Sequence, residues 1–196
     1  MRCGVLYSGG KDSTLAALVL EPFYEPTLVT ATFGIADVVA PGRRAAAGVD
    51  LPFETIELDP AVAARAAERM VEDGYPRNGI QQVHEHAVET IADNDFSAVA
   101  DGTRRDDRVP TVDRSLAQSV EDRFGVDYLA PLAGFGRAAI DDLADRRLRV
   151  ETGPSETIAK ADYETELRAL LRDEYGPETV ADVFPKHTQS RVVGRR

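Results

Sequence analysis

Short apolar runs alternate along the chain with segments whose apolar residues recur at helical spacing. The apolar runs are rich in β-branched and aromatic residues, which favours strands, and the segments between them favour helices. The predicted strands cover residues 3–7, 27–33, 53–58, 96–100 and 128–132. The predicted helices cover residues 12–20, 60–73, 80–93, 113–124, 137–146 and 162–174.

Strands that alternate with helices in this way indicate a parallel sheet covered on both faces. We therefore expect an α/β fold with a doubly wound, parallel, five-stranded sheet. This domain is expected over residues 1–150, with a short helical extension and a basic tail over residues 151–196. In such a sheet, ligands bind at the carboxyl ends of the strands, near the point where the strand order reverses.

Turn residues set the bounds of several predicted helices. Asp59 followed by Pro60 is a strong helix start, and Gly74 is a helix end. Within residues 36–50, the Pro41-Gly42 pair is expected to break the helix and to leave one or two turns around residues 45–48.

The size and composition of the chain are those of one globular domain. Its 196 residues are 43% apolar, which is enough for a core, and no run approaches the roughly 18 apolar residues of a membrane span. The first residues enter the first predicted strand directly, so no signal peptide is visible and we expect a soluble cytoplasmic protein. Cys3 is the only cysteine, which excludes an intrachain disulfide and favours a buried, inert thiol.

The chain is strongly acidic, with a net charge of −11 and lysine only at positions 11, 160 and 186. Acid-rich, lysine-poor surfaces are typical of salt-adapted cytoplasms, where screening removes much of the self-repulsion. An acidic mesophilic protein from a GC-rich genome is the alternative. RNA binding would need a local basic surface, for which Arg104, Arg105 and the tail are the candidates.

The most informative motif joins the first predicted strand to the first predicted helix. It reads Ser8-Gly9-Gly10-Lys11-Asp12-Ser13. Adjacent glycines allow close backbone approach, and the free N–H groups of a helix N-terminus attract a phosphate. Lys11 adds a positive charge, Ser13 a hydroxyl, and Asp12 a carboxylate able to hold Mg²⁺.

The hexamer resembles the PP-loop, SGGxDS, of the N-type ATP pyrophosphatases, which have the HUP fold. Enzymes of that family cleave ATP between the α and β phosphates, so the resemblance implies ATP and Mg²⁺. It implies nucleotide binding by all six loop residues, catalysis by Lys11 and Asp12, and Asp12 as a Mg²⁺ ligand. The Walker motif and the G-x-G-x-x-G motif are both absent. An ordinary Ser/Gly-rich turn is the alternative.

Two further segments lie where the same resemblance expects nucleotide contacts. Thr32, Phe33 and Gly34 end the second predicted strand, where PP-loop enzymes border the adenine and ribose; an ordinary strand terminus is the alternative. Residues 100–108 follow the fourth predicted strand and are similar to a glycine-containing segment with paired acids in tRNA-modifying relatives.

In residues 100–108, the resemblance implies that Gly102 and Thr103 line the nucleotide. Asp106 and Asp107 would be catalytic, and Asp107 would be a second Mg²⁺ ligand. The arginines of this segment (Arg104, Arg105 and Arg108) could hold pyrophosphate or an RNA phosphate. A solvated, internally paired loop is the alternative.

Three other segments have weaker signals. Asn78 precedes a helix where persulfide-using relatives carry cysteine and asparagine, but here no cysteine accompanies it, and a helix cap explains it equally well. His84-Glu85-His86 lacks the spacing of a metal site, so we expect surface histidines. The tail over residues 184–196 is either a frayed terminus or a segment that folds over the site or touches RNA.

The resemblance implies that a substrate is adenylated, with release of pyrophosphate. Without a glutaminase domain or paired cysteines, ammonia or sulfur would come from a partner protein. The whole chain resembles a small archaeal PP-loop family predicted to supply a subunit for thiolation or methylation of a tRNA wobble uridine. Two alternatives are a non-catalytic ATP-binding subunit or sensor, and a small-molecule synthetase that uses ammonia from a partner. A homodimer is expected from base rates.

Overall fold

The computed structural model describes residues 1–155, 157–185 and 188–196. Its larger sheet consists of β1 (Arg2–Leu6), β2 (Glu25–Thr32), β3 (Phe53–Glu57), β4 (Ala98–Ala100) and β5 (Asp127–Leu129). A smaller sheet consists of β6 (Leu148–Pro154) and β7 (Thr188–Arg195). The helices are α1 (Lys11–Leu20), α2 (Val39–Val49), α3 (Pro60–Asp73), α4 (Arg77–Ala92), α5 (Arg114–Phe124), α6 (Arg137–Arg147), α7 (Tyr163–Tyr175) and α8 (Pro177–Val183). Among the described residues, no helix is long and apolar enough to cross a bilayer.

The larger sheet is parallel throughout, with the strand order β3-β2-β1-β4-β5. The chain winds outward from β1 through β2 to β3, and then returns to the other side of β1 to add β4 and β5. The order therefore reverses between β1 and β4, and a crevice opens there at the carboxyl ends of the strands. The predicted doubly wound, five-stranded α/β fold is confirmed.

Apolar side chains pack on both faces of this sheet. One cluster joins β1 to α1, α2 and α6, a second joins β2 to α3, α4 and α7, and a third lies between α4, α5 and the sheet. Cys3 is fully buried in the first cluster, and its burial raises the pKa of the thiol to about 12. The predicted inert thiol is consistent with this environment.

Helix α2 runs without a break through Pro41 and Gly42, so the predicted interruption was wrong. Pro41 is the third residue of α2, and a proline in the first turn removes an N–H that has no partner within the helix. Gly42 lets the helix approach the sheet, because a Cβ there would lie 2.8 Å from Thr30 Oγ1 and 2.9 Å from Phe53 Cε2.

The extension after α6 contains strands as well as helices, which corrects the expectation of a helical extension. Strands β6 and β7 pair as an antiparallel ribbon, and β6 runs across residue 150, where the sequence suggested a boundary. The ribbon packs on α2, since a Cβ on Gly48 would lie 2.7 Å from the carbonyl oxygen of Val193. Within the tail over residues 184–196, Thr188–Arg195 forms β7, and Lys186 and His187 lie outside the described residues.

The crossing of α3 and α4 generates a test of the packing. Gly79 lies at this crossing, and a Cβ there would lie 2.6 Å from Met70 Cε and 2.7 Å from the carbonyl oxygen of Ala66. In an open helix, alanine in place of glycine stabilises by roughly 0.5–1 kcal/mol. We expect Gly79→Ala instead to lower the free energy of unfolding by about 2 kcal/mol, measured by urea denaturation.

Gly134→Ala is the matched control, because a Cβ at Gly134 meets nothing within 4 Å. It should leave the urea midpoint nearly unchanged. A Gly79→Ala protein as stable as the parent would contradict the close crossing.

Candidate functional site

A cavity of about 310 Å³ opens at the carboxyl edge of the larger sheet, where β1 and β4 end. Its walls come from the Ser8–Ser13 loop, from α4, from the segment that follows β4 and from the segment that precedes α7. The cavity therefore lies at the reversal of strand order, where this fold places its ligands.

The six residues of the predicted phosphate motif form one loop at the cavity. Gly9 has a φ of 74°, which favours glycine, and Gly10 is the N-cap of α1 without a side-chain cap. The loop is closed by the Ser13 hydroxyl, which accepts from Ser8 N at 3.3 Å and lies 3.2 Å from Ser8 Oγ. Of the six residues, Ser8, Asp12 and Ser13 line the cavity directly.

Gly102 brings the segment after β4 against this loop. A Cβ on Gly102 would lie 2.7 Å from Ser13 N and 2.9 Å from the carbonyl carbon of Asp12. Both contacts are with backbone, which cannot move aside like a flexible side chain, so the position requires glycine. The structure thus brings Gly102 and Thr103 together with the Ser8–Ser13 loop at the cavity.

Alternating charges surround the loop. Lys11 Nζ lies 2.7 Å from Asp12 Oδ1 and 3.1 Å from Asp141 Oδ1. The guanidinium of Arg104, whose side chain is 9% exposed, lies 3.6 Å from Asp12 and 2.5 Å from Asp107. Asp12 and Asp107 are therefore both paired with the same guanidinium.

Asp106 and Asp107 have different positions despite being adjacent. Asp107 lines the cavity, whereas Asp106 is exposed and accepts a hydrogen bond of 2.9 Å from Arg137 N at the start of α6. That hydrogen bond lowers the pKa of Asp106. Of the two carboxylates, Asp107 is therefore the one that can contact a ligand in the cavity, whereas Asp106 caps the start of α6.

The predicted Mg²⁺ ligands, Asp12 and Asp107, are brought to one place, but they do not form a complete metal site. Among the residues that the structure describes, no group of three or more His, Cys, Asp or Glu side chains could hold a metal ion. Mg²⁺ commonly binds one or two carboxylates together with substrate phosphates, and two carboxylates beside a phosphate loop fit that mode.

The end of β2 is arranged differently from the expectation. Thr32, Phe33 and Gly34 do not line the cavity. Thr32 and Phe33 donate to the carboxylate of Glu166 from α7, which is fully buried, and Gly34 N donates to Thr32 Oγ1. Glu166 accepts from Thr32 Oγ1, Phe33 N and Ile35 N, each at 2.9 Å. Phe33 packs in the second apolar cluster, so its ring is not available to a base at the cavity.

A buried hydrogen-bonded network was missed by the sequence analysis. His84 is 3% exposed, which corrects the expectation of a surface histidine, and its Nε2 lies 2.8 Å from Asp101 Oδ2. Its Nδ1 lies 3.0 Å from the hydroxyl of Tyr163. Asp101 also accepts from Tyr128 Oη at 2.8 Å. The spacing of His84 from the buried Ile80 and Val88 placed it on the inward face of α4, and that signal could have found it.

Asp101 is ionised in this network. Burial alone would raise the pKa of its carboxyl, but the hydrogen bonds from His84 and Thr103 outweigh burial and lower it. The neighbouring His86 is less buried and accepts a hydrogen bond of 3.2 Å from Asp59 N, which makes it a structural residue at the start of α3.

Lys160 is a second lysine at the cavity that sequence reasoning also missed. Its Nζ lies 2.8 Å from Asp162, and the segment is fixed to the phosphate motif by a hydrogen bond of 3.0 Å from Ala161 N to the Ser8 carbonyl. Burial would lower the pKa of Lys160, but the Asp162 carboxylate outweighs burial and raises it. The structure describes two of the three lysines of the chain, Lys11 in the Ser8–Ser13 loop and Lys160 at the cavity.

Comparisons with known proteins place the chain in a family. It belongs to a family of unknown function, DUF7411, whose model matches residues 1–194. It is 40% identical over 191 residues to an uncharacterized protein, MJ0690, of Methanocaldococcus jannaschii, covering 97% of this chain and 94% of that protein. A solved structure described as a predicted subunit of tRNA methyltransferase from the same organism has a TM-score of 0.91 and 39% identity, covering 100% of this chain and 98% of that chain.

The hydrogen bonds that the buried Glu166 carboxylate accepts lead to a prediction about stability. Glu166→Ala should lower the free energy of unfolding by about 3 kcal/mol, because it leaves Thr32 Oγ1, Phe33 N and Ile35 N without their acceptor. Urea denaturation followed by circular dichroism measures the change. Glu174→Ala, at an exposed position of the same helix, is the control and should change stability by less than about 0.5 kcal/mol.

The comparison of the two variants can also contradict this prediction. Equal stability of Glu166→Ala and Glu174→Ala would mean that Glu166 does not hold the end of β2.

Proposed function

We propose that this chain binds ATP on the Ser8–Ser13 loop, cleaves it to AMP and pyrophosphate, and so adenylates a base of tRNA. One observation carries the proposal. The start of α1, whose N-cap residue Gly10 has no side chain, packs against Gly102 and forms a wall of the cavity at the reversal of strand order. The resemblance of the loop to the PP-loop of ATP pyrophosphatases supports the same chemistry.

The phosphates have several cationic and N–H groups to bind. The N-terminus of α1 provides backbone N–H groups and the positive end of the helix dipole. Lys11, Lys160 and Arg104 provide positive charge, and each is now paired with a carboxylate. On binding, Lys11 would exchange Asp12 and Asp141 for a β or γ phosphate, which leaves the α phosphate facing the cavity.

Asp12 and Asp107 are the residues that would hold Mg²⁺ together with the phosphates. When bound, Mg²⁺ neutralises charge that develops on the leaving pyrophosphate. Lys11 and the α1 N-terminus would contribute to the same end, because both carry positive charge beside the Ser8–Ser13 loop.

The tRNA acceptor is supported by two observations. The cavity is lined in part by the apolar side chains of Ile80, Val109 and Phe184, which suit a flat heterocycle. The solved relative is described as a predicted subunit of tRNA methyltransferase. That description also supports the proposal that this chain acts together with a partner protein.

A non-catalytic ATP-binding subunit is the second candidate, and one observation favours it. Ser190 of β7 accepts a hydrogen bond of 3.3 Å from Lys11 N, and Asp12 is paired with both Lys11 and Arg104. The groups expected to act on ATP are thus already engaged within the protein.

The test is an assay of AMP and pyrophosphate with Mg-ATP at high salt, with and without bulk tRNA. We expect both products only when tRNA is present. Asp12→Asn should lower the rate at least about 100-fold, because the variant weakens Mg²⁺ and phosphate positioning. Asp145→Asn, at an exposed position of α6 that does not line the cavity, is the control and should keep the parent rate.

Two other results would argue against the proposed ATP-cleaving enzyme. ATP bound without any AMP formed would favour the binding subunit. Absence of ATP binding, measured by calorimetry, would contradict both candidates.

A further inference from the structure

We infer that Tyr163, His84 and Asp101 form a proton relay that takes the proton lost by the acceptor base when it attacks ATP. This inference rests on the proposed function and assigns residues to a step that the function requires. Tyr163 is the residue that touches the acceptor, whereas His84 and Asp101 position it and receive the proton. Tyr163, His84 and Asp101 all line the cavity.

The direction of each hydrogen bond follows from Asp101. Its Oδ1 accepts from Thr103 N at 2.9 Å and Thr103 Oγ1 at 2.6 Å, and its Oδ2 accepts from Tyr128 Oη and His84 Nε2, both at 2.8 Å. An ionised carboxylate only accepts, so Nε2 of His84 carries a proton. In the relay, Nδ1 is the acceptor, and Tyr163 donates its hydroxyl proton to it over 3.0 Å.

This arrangement leaves the lone pairs of the Tyr163 oxygen for a group in the cavity. Burial raises the pKa of Tyr163 well above its ordinary value, so the residue does not act as a tyrosinate. It can still pass a proton, since it gains one on its oxygen while its own moves to His84. The resulting imidazolium is stabilised by Asp101, 2.8 Å away.

The other carboxylates at the cavity each have a cationic partner within 3.0 Å. The pairs are Asp12 with Lys11, Asp107 with Arg104, Asp162 with Lys160, and Glu164 with Arg168. When the nucleotide binds, Asp12 and Asp107 would hold Mg²⁺, so they stay engaged in the bound state. Asp101 differs, since its partner is the imidazole of His84, whose other ring nitrogen lies beside Tyr163. Among the described residues that line the cavity, we therefore assign the proton to this network.

The proton balance defines the class of acceptor. A base with a lactam group attacks through its carbonyl oxygen, a bond forms from that oxygen to the α phosphorus, and the bond to the bridging oxygen of pyrophosphate breaks. The lactam N–H loses its proton to Tyr163, and the Tyr163 proton moves to His84. Bases of the uracil type have such an N–H beside the carbonyl, whereas cytosine does not and needs no base for this step.

The experiment compares Tyr163→Phe with two other variants that lose one hydroxyl. Tyr163→Phe should lower the single-turnover rate of AMP formation at saturating ATP and tRNA at least about 100-fold, while the Kd for ATP changes less than twofold. Tyr128→Phe removes a hydroxyl from the same carboxylate but does not line the cavity, and should lose far less rate. Tyr75→Phe, at an exposed position, should match the parent protein.

A second readout does not depend on turnover. In ¹⁵N-histidine NMR of the full chain, His84 should be the Nε2–H tautomer, and Tyr163→Phe should shift the Nδ1 resonance. His86 provides an internal reference whose resonances should not change.

The outcomes separate the relay from the proposed function. If the parent protein binds ATP but forms no AMP with tRNA, the proposed function and the relay both fail. If the parent is active and Tyr163→Phe keeps its rate within threefold, or if Tyr128→Phe loses as much as Tyr163→Phe, the relay alone is overturned. A proton on Nδ1 of neutral His84 would also overturn it.

Discussion

The close approach of Gly102 to the first turn of α1 is the contact on which the site depends. It exists because β1 and β4 are neighbours in the sheet although they are far apart in the chain, so the segments that leave them meet at one edge. With no side chain at Gly102, the backbone after β4 packs on Ser13 and closes one wall of the cavity. The segment before α7 adds a second contact to the loop through Ala161.

Charge pairing is the second constraint. In a chain of net charge −11, the carboxylates of the cavity each have a nearby cation or imidazole, so the site is close to neutral before a ligand enters. An incoming phosphate must exchange partners with these carboxylates. Such an exchange costs less than burying new charge, because cations of the right kind are already within the site.

The sequence predicts the parts of the fold that local physics determines. The apolar runs predict the five strands of the larger sheet. Asp59 and Gly74 predict the ends of α3, and the Ser8–Ser13 motif predicts the loop between β1 and α1. Long-range contacts account for the rest. The strands β6 and β7 are stabilised by each other and by α2, and Phe33 is turned into the core by the distant Glu166.

The same reason explains the site residues that were missed. Lys160 and Tyr163 reach the cavity only because the extension packs back on the loop, and no local motif indicates that packing. His84 could have been recognised from its place on the apolar face of α4, but its partners Asp101 and Tyr163 come from other elements.

A crystal structure of the full chain with Mg²⁺ and α,β-methylene ATP tests the central claim most directly. The account predicts the β and γ phosphates on the backbone N–H groups of the Ser8–Ser13 loop, with Lys11 turned from Asp141 to a phosphate and the α phosphate facing Tyr163. A nucleotide bound away from the loop, with Lys11 N still bonded to Ser190, would contradict it.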